Sequence, residues 1–225
     1  SQTSREKVEQ FTELVAKPCG ATLTIHHVEE EEGASIPDLA NLIHRPTCAA
    51  CGTVKRYQFN RATIQGGYDV MATGHNLDDE AARLLGNVLH WQEEYLQKQS
   101  PMLPASMEGF AKKVKPLYRL TEREIAAYAV VNRIDYIVEE CPMSKGAKML
   151  VYKDVLNRLE AESPGTKHTF YFQFLKKQAK AKPTQATMTA TDQSTLKPCT
   201  LCGQPTSTET CSYCKMIARA QTPTS

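Results

Sequence analysis

Six of the eight cysteines fall in three C-x-x-C pairs, Cys48/Cys51, Cys199/Cys202 and Cys211/Cys214, with Cys19 and Cys141 standing apart. Paired thiols either cross-link an oxidised extracellular domain or grip a metal in a reducing compartment. The opening stretch SQTSREKVEQ is polar and has no apolar core of a secretory leader, so metal ligation in the cytoplasm is the expectation. The last four cysteines form C-x2-C-x8-C-x2-C. Two such knuckles can close on one tetrahedral zinc ion, and Gly203 allows the tight turn after Cys202. A unit this small cannot build a hydrophobic core, so the ion would supply its folding energy. Residues 198–215 are therefore predicted to be a zinc ribbon held by Cys199, Cys202, Cys211 and Cys214.

Residues 181–197 are rich in Thr, Gln, Lys and Pro without apolar periodicity and read as a linker. The rest, residues 1–180, reads as one α/β domain. Val8, Phe11, Leu14 and Val15 predict a helix over 4–17 with Ser4 as N-cap. The β-branched run 21–28 predicts a strand, EEEEG an acidic loop, and IPDLANLIH a short helix. A helix is expected over 52–65, ended by Gly66 and Gly67, then a strand in YDVMATG and one long helix over 76–99. KVKPL is a short extended piece, and Thr121 with Glu124 forms a capping box at the head of a helix over 121–134. IDYIVEE predicts another strand, and 148–162 and 167–180 two further helices. Strands alternating with helices predict a largely parallel sheet. No run of about 18 apolar residues occurs, so no helical membrane span is expected. Lys and Arg number 27 against 25 Asp and Glu, so any nucleic-acid surface must be a local patch.

Cys48 and Cys51 have no second C-x-x-C pair nearby, and Cys141, in VEECPMS, is the distant thiol that fits them best. Three thiolates with a vacant fourth position suit either an open zinc site or a 4Fe–4S cluster with one unligated iron. Other readings stay open: a Cys48/Cys51 redox pair, and a Cys141 that is only a buried strand-end residue. Cys19, before Gly20 in a turn, reads as a small buried or half-buried residue. Lys55 lies one helical turn after Cys51 and could clamp an anion; a solvated helix lysine is the alternative. YDVMATGHNLDDEA runs strand, glycine turn, helix, the crevice in which α/β sheets bind ligands. Gly74 lets a ligand approach, the new helix is expected to offer free N–H groups to a nucleotide, and Asp78 and Asp79 suit Mg²⁺ or proton acceptance. Helix capping accounts for one aspartate without any function. His75 fits either a cap or a ligand contact.

The blocks CAACGTVKRY, ATGHNLDDEAARLLGNVL, KVKPLYRLTEREIAAYA, ECPMS and PGTK, followed by the four-cysteine tail, stand in an order that resembles the tRNA 2-thiouridine synthetases. These belong to the adenine-nucleotide alpha-hydrolase, or PP-loop ATPase, superfamily. The resemblance covers residues 40 to 214. It implies a doubly wound parallel sheet and an ATP-dependent 2-thiolation of tRNA uridine: adenylation of the C2 oxygen, then sulfur displacing AMP at that carbon. It implies that Cys48, Cys51 and Cys141 ligate a 4Fe–4S cluster whose fourth iron holds the incoming sulfide. Lys55 and Asp79 match the catalytic pair, and Gly74, His75, Lys55 and Asp79 the ATP and Mg²⁺ site. The sulfur donor it implies is a ubiquitin-like carrier ending in a thiocarboxylate.

The family's S-G-G-x-D-S loop, which cradles pyrophosphate, does not occur, nor does a Walker-type G-x-x-x-x-G-K-S/T. The sheet is thus expected to be N-terminally truncated and the 225 residues inactive on their own. KKVKPLYR (112–119) and LKKQAKAK (175–182) combine basic residues with nearby aromatics and are candidate tRNA contacts, with ordinary solvated faces as the alternative. A non-catalytic RNA- or protein-binding module that kept its ribbon is the competing function. Whether the chain forms a homodimer is left open by its residues.

Overall fold

A computed structural model describes residues 2–105, 111–138, 141–144, 146–181 and 196–221. The first amphipathic pattern forms α1 (Gln2–Phe11), continued by a π-type turn over 12–16. It begins before Ser4, which is therefore not its N-cap. Residues 21–27 form no strand: β-branched side chains favour a pleat only where a neighbour pairs with it, and none does here. The acidic run predicted as a loop is the short helix α2 (Val28–Glu32), with Glu29, Glu30 and Glu31 in its first turn, where the helix dipole favours anions. α3 (Ile36–Leu42) starts at Ser35, whose hydroxyl accepts from Asp38 N, with Pro37 in the first turn. α4 (Thr47–Gln65) begins five residues before the predicted 52, because Pro46 supplies its start, so Cys48 and Cys51 are helical.

β1 (Val70–Ala72) leads to α5 (Leu77–Leu89) and α6 (Glu93–Lys98). The single long helix predicted over 76–99 is interrupted: Trp91 takes a φ of 47°, and Gln92 N reaches back to Asn87 O at 2.9 Å, closing α5. β2 (Met102–Leu103) and β3 (Lys112–Val114) follow, then α7 (Glu122–Val131), capped as expected by Thr121 and Glu124. Residues 134–138, predicted as strand, are irregular, and 139–140 lie outside the described residues. A 3-10 turn over 142–144 precedes α8 (Lys148–Glu162) and α9 (Thr166–Ala181). Most of the predicted linker, 182–195, lies outside the described residues. The C-terminal unit is a β4 (Lys197–Pro198) and β5 (Pro205–Thr206) hairpin followed by α10 (Ser212–Gln221).

The described sheet has the order β1-β3-β2, with β1 and β3 parallel (Val70 opposite Lys112) and β2 antiparallel to β3. The fold is thus mixed α/β, with the parallel pair predicted and an antiparallel edge that was not. α5 is its centre. Leu77, Asp78, Glu80, Ala81, Ala82 and Leu84 are all buried, against α8 and α9. A Cβ on Gly86 would lie 2.8 Å from the Tyr152 ring, so only glycine lets α8 come this close. Glu80, fully buried, receives both 2.8 Å contacts of the Lys115 ammonium and a 3.1 Å hydrogen bond from Tyr171 OH. One carboxylate therefore ties α5 to the end of β3 and to α9. Burial pushes Lys115 below its ordinary pKa, and Glu80 draws it partway back.

Removing one member of such a pair strands a charge in the core. Glu80→Ala and Lys115→Met should each cost about 3–5 kcal/mol by urea denaturation, and the double replacement less than the two together. Single losses below about 1 kcal/mol would mean the pair is solvated.

Candidate metal centres and nucleotide crevice

The four C-terminal sulfurs lie within 4.8 Å of one another, and among the described residues no other group of three or more His, Cys, Asp or Glu ligand atoms converges so closely. The hairpin brings the first pair, and the first turn of α10 the second. Cys199 N donates to Gln204 O at 2.9 Å, Gly203 sits at φ 73°, and Cys211 N and Cys214 N point at the Cys199 and Cys211 sulfurs at 3.3 and 3.4 Å. Burial opposes ionisation of Cys199, but backbone N–H donors from Cys211, Leu201 and Cys202 outweigh it and bring its thiol to about 6. Burial and the neighbouring sulfurs push Cys214 well above its ordinary value, and burial does the same to Cys202. One thiolate forms readily, but four negative sulfurs at this spacing need a cation among them. Zinc fits that donor set.

The ribbon does not stand apart. Cys199, Tyr213, Cys214, Met216 and Ile217 share one core with Leu39 and Ala40 of α3 and Ala50 and Val54 of α4. Tyr213 stacks on Tyr57 of α4 (centroids 3.5 Å apart, planes 7° from parallel), and its hydroxyl donates to Glu32. Gln204 Nε2 donates to Tyr57 O at 3.4 Å, and Asn60 Nδ2 to Gln204 Oε1 at 3.4 Å.

The other end of α4 carries the second thiol set. Cys48 is exposed, Cys51 half-buried one turn on, and Cys141 exposed. The 3-10 turn after Cys141 packs on α4, and the Cys48 thiol donates to Met143 O at 3.3 Å. Chain segments 95 positions apart thus meet. The three sulfurs do not form a close ligand group like that of the ribbon. The expectation of a buried Cys141 fails, because the residue is exposed. Cys19 is exposed too, against its expected burial, since α1 and its π turn leave the 17–20 turn outside any core.

Lys55 is exposed on α4, one turn past Cys51. Across the chain, Thr73 N binds Val114 O at 2.9 Å beyond the carboxyl ends of β1 and β3, and the turn through Gly74 and His75 enters α5 there. Space beside Gly74 is open: a Cβ there would meet nothing within 4 Å. His75 Nδ1 lies 2.8 Å from Thr73 Oγ1, and burial, aided by Arg83, lowers its pKa and favours the neutral ring.

The start of α5 is not the vacant anion site the sequence suggested. Asn76 N binds Asp79 Oδ2 (3.1 Å), Asp79 N binds Asn76 Oδ1 (3.0 Å), and Leu77 N binds Leu120 O (2.8 Å). The two aspartates have different duties. Asp78 is buried, accepting from Glu122 N (2.8 Å) and from Lys167, and so locks α5 to α7 and α9. Asp79 is half-buried and pairs with Lys153 at 2.7 Å. Burial alone would lower the Lys153 ammonium, but hydrogen bonds to Asp79 and Glu122 outweigh it and raise it. Nothing in the sequence pointed to Lys153; Lys167 stood in the PGTK block without a role. Two cavities, of ≈ 590 and ≈ 260 Å³, lie elsewhere, against His26–Ile36 and between α4 and the Cys202–Gln204 knuckle.

No protein-family model matches the chain. It is 44% identical over 210 residues to the tRNA-5-methyluridine(54) 2-sulfurtransferase of Pyrococcus horikoshii, covering 93% of this chain and 65% of that protein. It is 41% identical over 218 residues to the protein of the same name from Thermotoga maritima, covering 96% and 67%. The chain thus spans about two thirds of the length of these curated relatives. Among solved structures, the U34-tRNA thiolase NcsA from Methanococcus maripaludis with its 4Fe–4S cluster superposes with a TM-score of 0.72 at 24% identity, over 94% of this chain and 63% of that one. That likeness shows the fold.

The ribbon geometry predicts one zinc per chain, removed by a strong chelator. Because the ribbon shares its core with α3 and α4, Cys211→Ser should raise amide hydrogen exchange in α4 as well as in α10. Unchanged exchange in α4 would show the ribbon to be energetically separate.

Proposed function

The chain belongs to the family of tRNA 2-sulfurtransferases, and on that premise we propose that it is the thiol-bearing part of an enzyme that thiolates a tRNA uridine at C2 with ATP. The observation that carries the reading is the meeting of Cys48 and Cys51, on one helix, with the segment that begins at Cys141. In this reading the uridine O2 attacks the α-phosphorus of ATP and pyrophosphate leaves. Sulfide then adds at C2 and AMP departs with the former O2, so the base gains sulfur for oxygen without any change of redox state. The three free thiols fit a 4Fe–4S cluster, since they leave one iron without a protein ligand. Such a cluster would supply an open coordination position able to hold inorganic sulfide.

The other roles follow from the chemistry of each group. Lys55, exposed one turn from Cys51, is placed to neutralise an anion that approaches those thiols. Gly74 leaves room at the crevice for a nucleotide, and neutral His75 can accept or donate a hydrogen bond to it. Asp79 is the acceptor for Mg²⁺ or a proton, and Lys153 pairs with it at 2.7 Å until the cation takes its place. The ribbon's Cys199, Cys202, Cys211 and Cys214 hold zinc in a structural role. A ubiquitin-like thiocarboxylate carrier is the proposed sulfur donor. With eight free thiols, the cytoplasm is the proposed setting.

Anaerobic reconstitution with iron and sulfide should give brown protein with about four irons per chain. Cys48→Ser, Cys51→Ser and Cys141→Ser should each abolish the colour, while Cys202→Ser keeps it. A colourless preparation that binds zinc alone would remove the cluster from this reading. Lys55→Ala and Asp79→Ala, tested in a form of the protein that carries a phosphate loop, should bind tRNA normally and thiolate it about 10²-fold more slowly or worse.

A further inference from the structure

The basic segment 112–119 ends on an aromatic cluster carried by α9, the helix on which the second basic segment begins at Leu175. Phe172 on α9 is its centre. Arg119, which ends the first segment, places its guanidinium carbon 5.1 Å from the Phe172 ring centroid. The His168 ring lies 4.1 Å from it with planes 30° apart, and Tyr118 lies 5.8 Å away. Tyr171, buried beneath and bonded to Glu80, meets the Phe172 ring edge-on at 5.6 Å, so the cluster stands on the most rigid point of the core. Arg119 and His168 are exposed; Phe172 and Tyr118 are half-buried. The cluster is thus a layered π surface with a solvent-facing side.

Its surroundings select what can bind. The N-terminus of α9 is already satisfied by a carboxylate, Glu160 accepting from Gly165 N at 2.7 Å and Lys167 N at 2.8 Å. A phosphate would meet the Glu160 carboxylate at the head of α9, whereas the face of a planar base meets rings and a guanidinium. Further along α9, Lys176 and Lys180 follow Phe172 at four-residue steps, about 6 Å each along the axis, and both are exposed. The opposite face of α9 is turned inward, with Gln178 bonded to Leu96 O. The helix therefore presents a π surface at one end and a row of cations leading away from it.

The cluster also adjoins the crevice. Lys167, next to His168, reaches Asp78 at the head of α5, and Leu120, next to Arg119, accepts from Leu77 N. Asp79 follows directly. We propose that Arg119, His168 and Phe172 form a stacking platform for an unpaired base of the RNA substrate at the crevice rim, with Lys176 and Lys180 following the adjoining phosphates. The inference rests on the thiolation reading for its choice of RNA over free nucleotide, since both offer the same π face.

Both exposed stacking side chains can be changed without touching the core. His168→Ala removes a ring, and Arg119→Lys keeps the charge while losing the planar guanidinium. In fluorescence anisotropy at fixed salt with the whole chain, each should weaken binding of unmodified tRNA about five- to hundredfold. Each should change binding of a blunt RNA duplex, which offers no unpaired bases in its stem, by less than about twofold. Lys176→Ala with Lys180→Ala should weaken both RNAs alike and reduce the salt dependence of log K by about 1.5. Equal losses for tRNA and duplex in the first two variants would reduce the cluster to ordinary charge, and unchanged tRNA affinity would dismiss it. Lost ATP affinity with tRNA binding intact would assign the platform to free nucleotide and overturn the RNA reading. If the unaltered chain binds duplex and tRNA not at all, the thiolation reading itself falls before any variant is compared.

Discussion

The carboxylate of Glu80 sits at zero exposure, and this placement makes demands on everything around it. A buried anion without partners would take up a proton or unfold the region around it. Lys115 therefore has to arrive at the carboxyl end of β3, Tyr171 has to face inward from α9, and Gln99 has to hold the Glu80 carbonyl at 2.8 Å. Two elements far apart in sequence, the end of β3 and α9, are fixed relative to α5 by one side chain, and Gln99 holds the same residue through its main chain. Because α5 begins at the crevice, the same anchor sets where Gly74, His75 and Asp79 stand. Asp78 repeats the arrangement at the mouth itself, tying α5 to the start of α7 and, through Lys167, to α9. A crevice walled by ion pairs holds its shape without a bound ligand, and so meets the need for preorganisation.

α4 links the two cysteine sets mechanically. Its first turns carry Cys48 and Cys51, and its middle turns carry Val54, Tyr57 and Asn60, all in contact with the C-terminal unit. A helix transmits position along its axis far better than a loop does. The metal-organised hairpin and α10 can therefore set how α4 lies against β1 and against the turn after Cys141. In this arrangement an ion held by the ribbon would bear on a thiol set it does not touch.

Much of this was legible from the chain, and the failures have physical causes. Helices with a cap or a proline at the start, such as α3 and α7, carry their boundaries in local residue chemistry. The C-x2-C-x8-C-x2-C spacing likewise announces the convergence of four sulfurs. The predicted strands failed over 21–28 and over the described residues 134–138 because strand propensity only reports fitness for a pleated surface, and the partner strand is a long-range fact. The break at Trp91 is invisible in composition, as is the helical state of the EEEEG run. Asp78 and Asp79 illustrate the limit for the site. The doublet suited Mg²⁺ or proton acceptance, with capping as the alternative for one of the two, yet a one-residue step on a helix turns side chains by about 100°, so Asp78 is buried against α7 and α9 while half-buried Asp79 pairs with Lys153. Lys153 is the clearest omission: its importance comes from a tertiary contact with Asp79, and lysine in a helix carries no local mark of it.

Exposure separates the two thiol sets more sharply than spacing does. In the ribbon, Cys199 and Cys214 are buried and all four sulfurs point inward on one another, which leaves a bound ion no open face. A closed tetrahedral shell can neither accept nor release a ligand, so it serves folding alone. Cys48 and Cys141 face solvent, and the lysine one turn beyond Cys51 does as well. A centre held there by three thiolates would keep one side open to solvent. The same element, cysteine sulfur, thus gives a structural clamp where packing surrounds it and a reactive mouth where packing stops. The boundary between the two runs along α4, between Val54, 1% exposed, and Lys55, which is in open water.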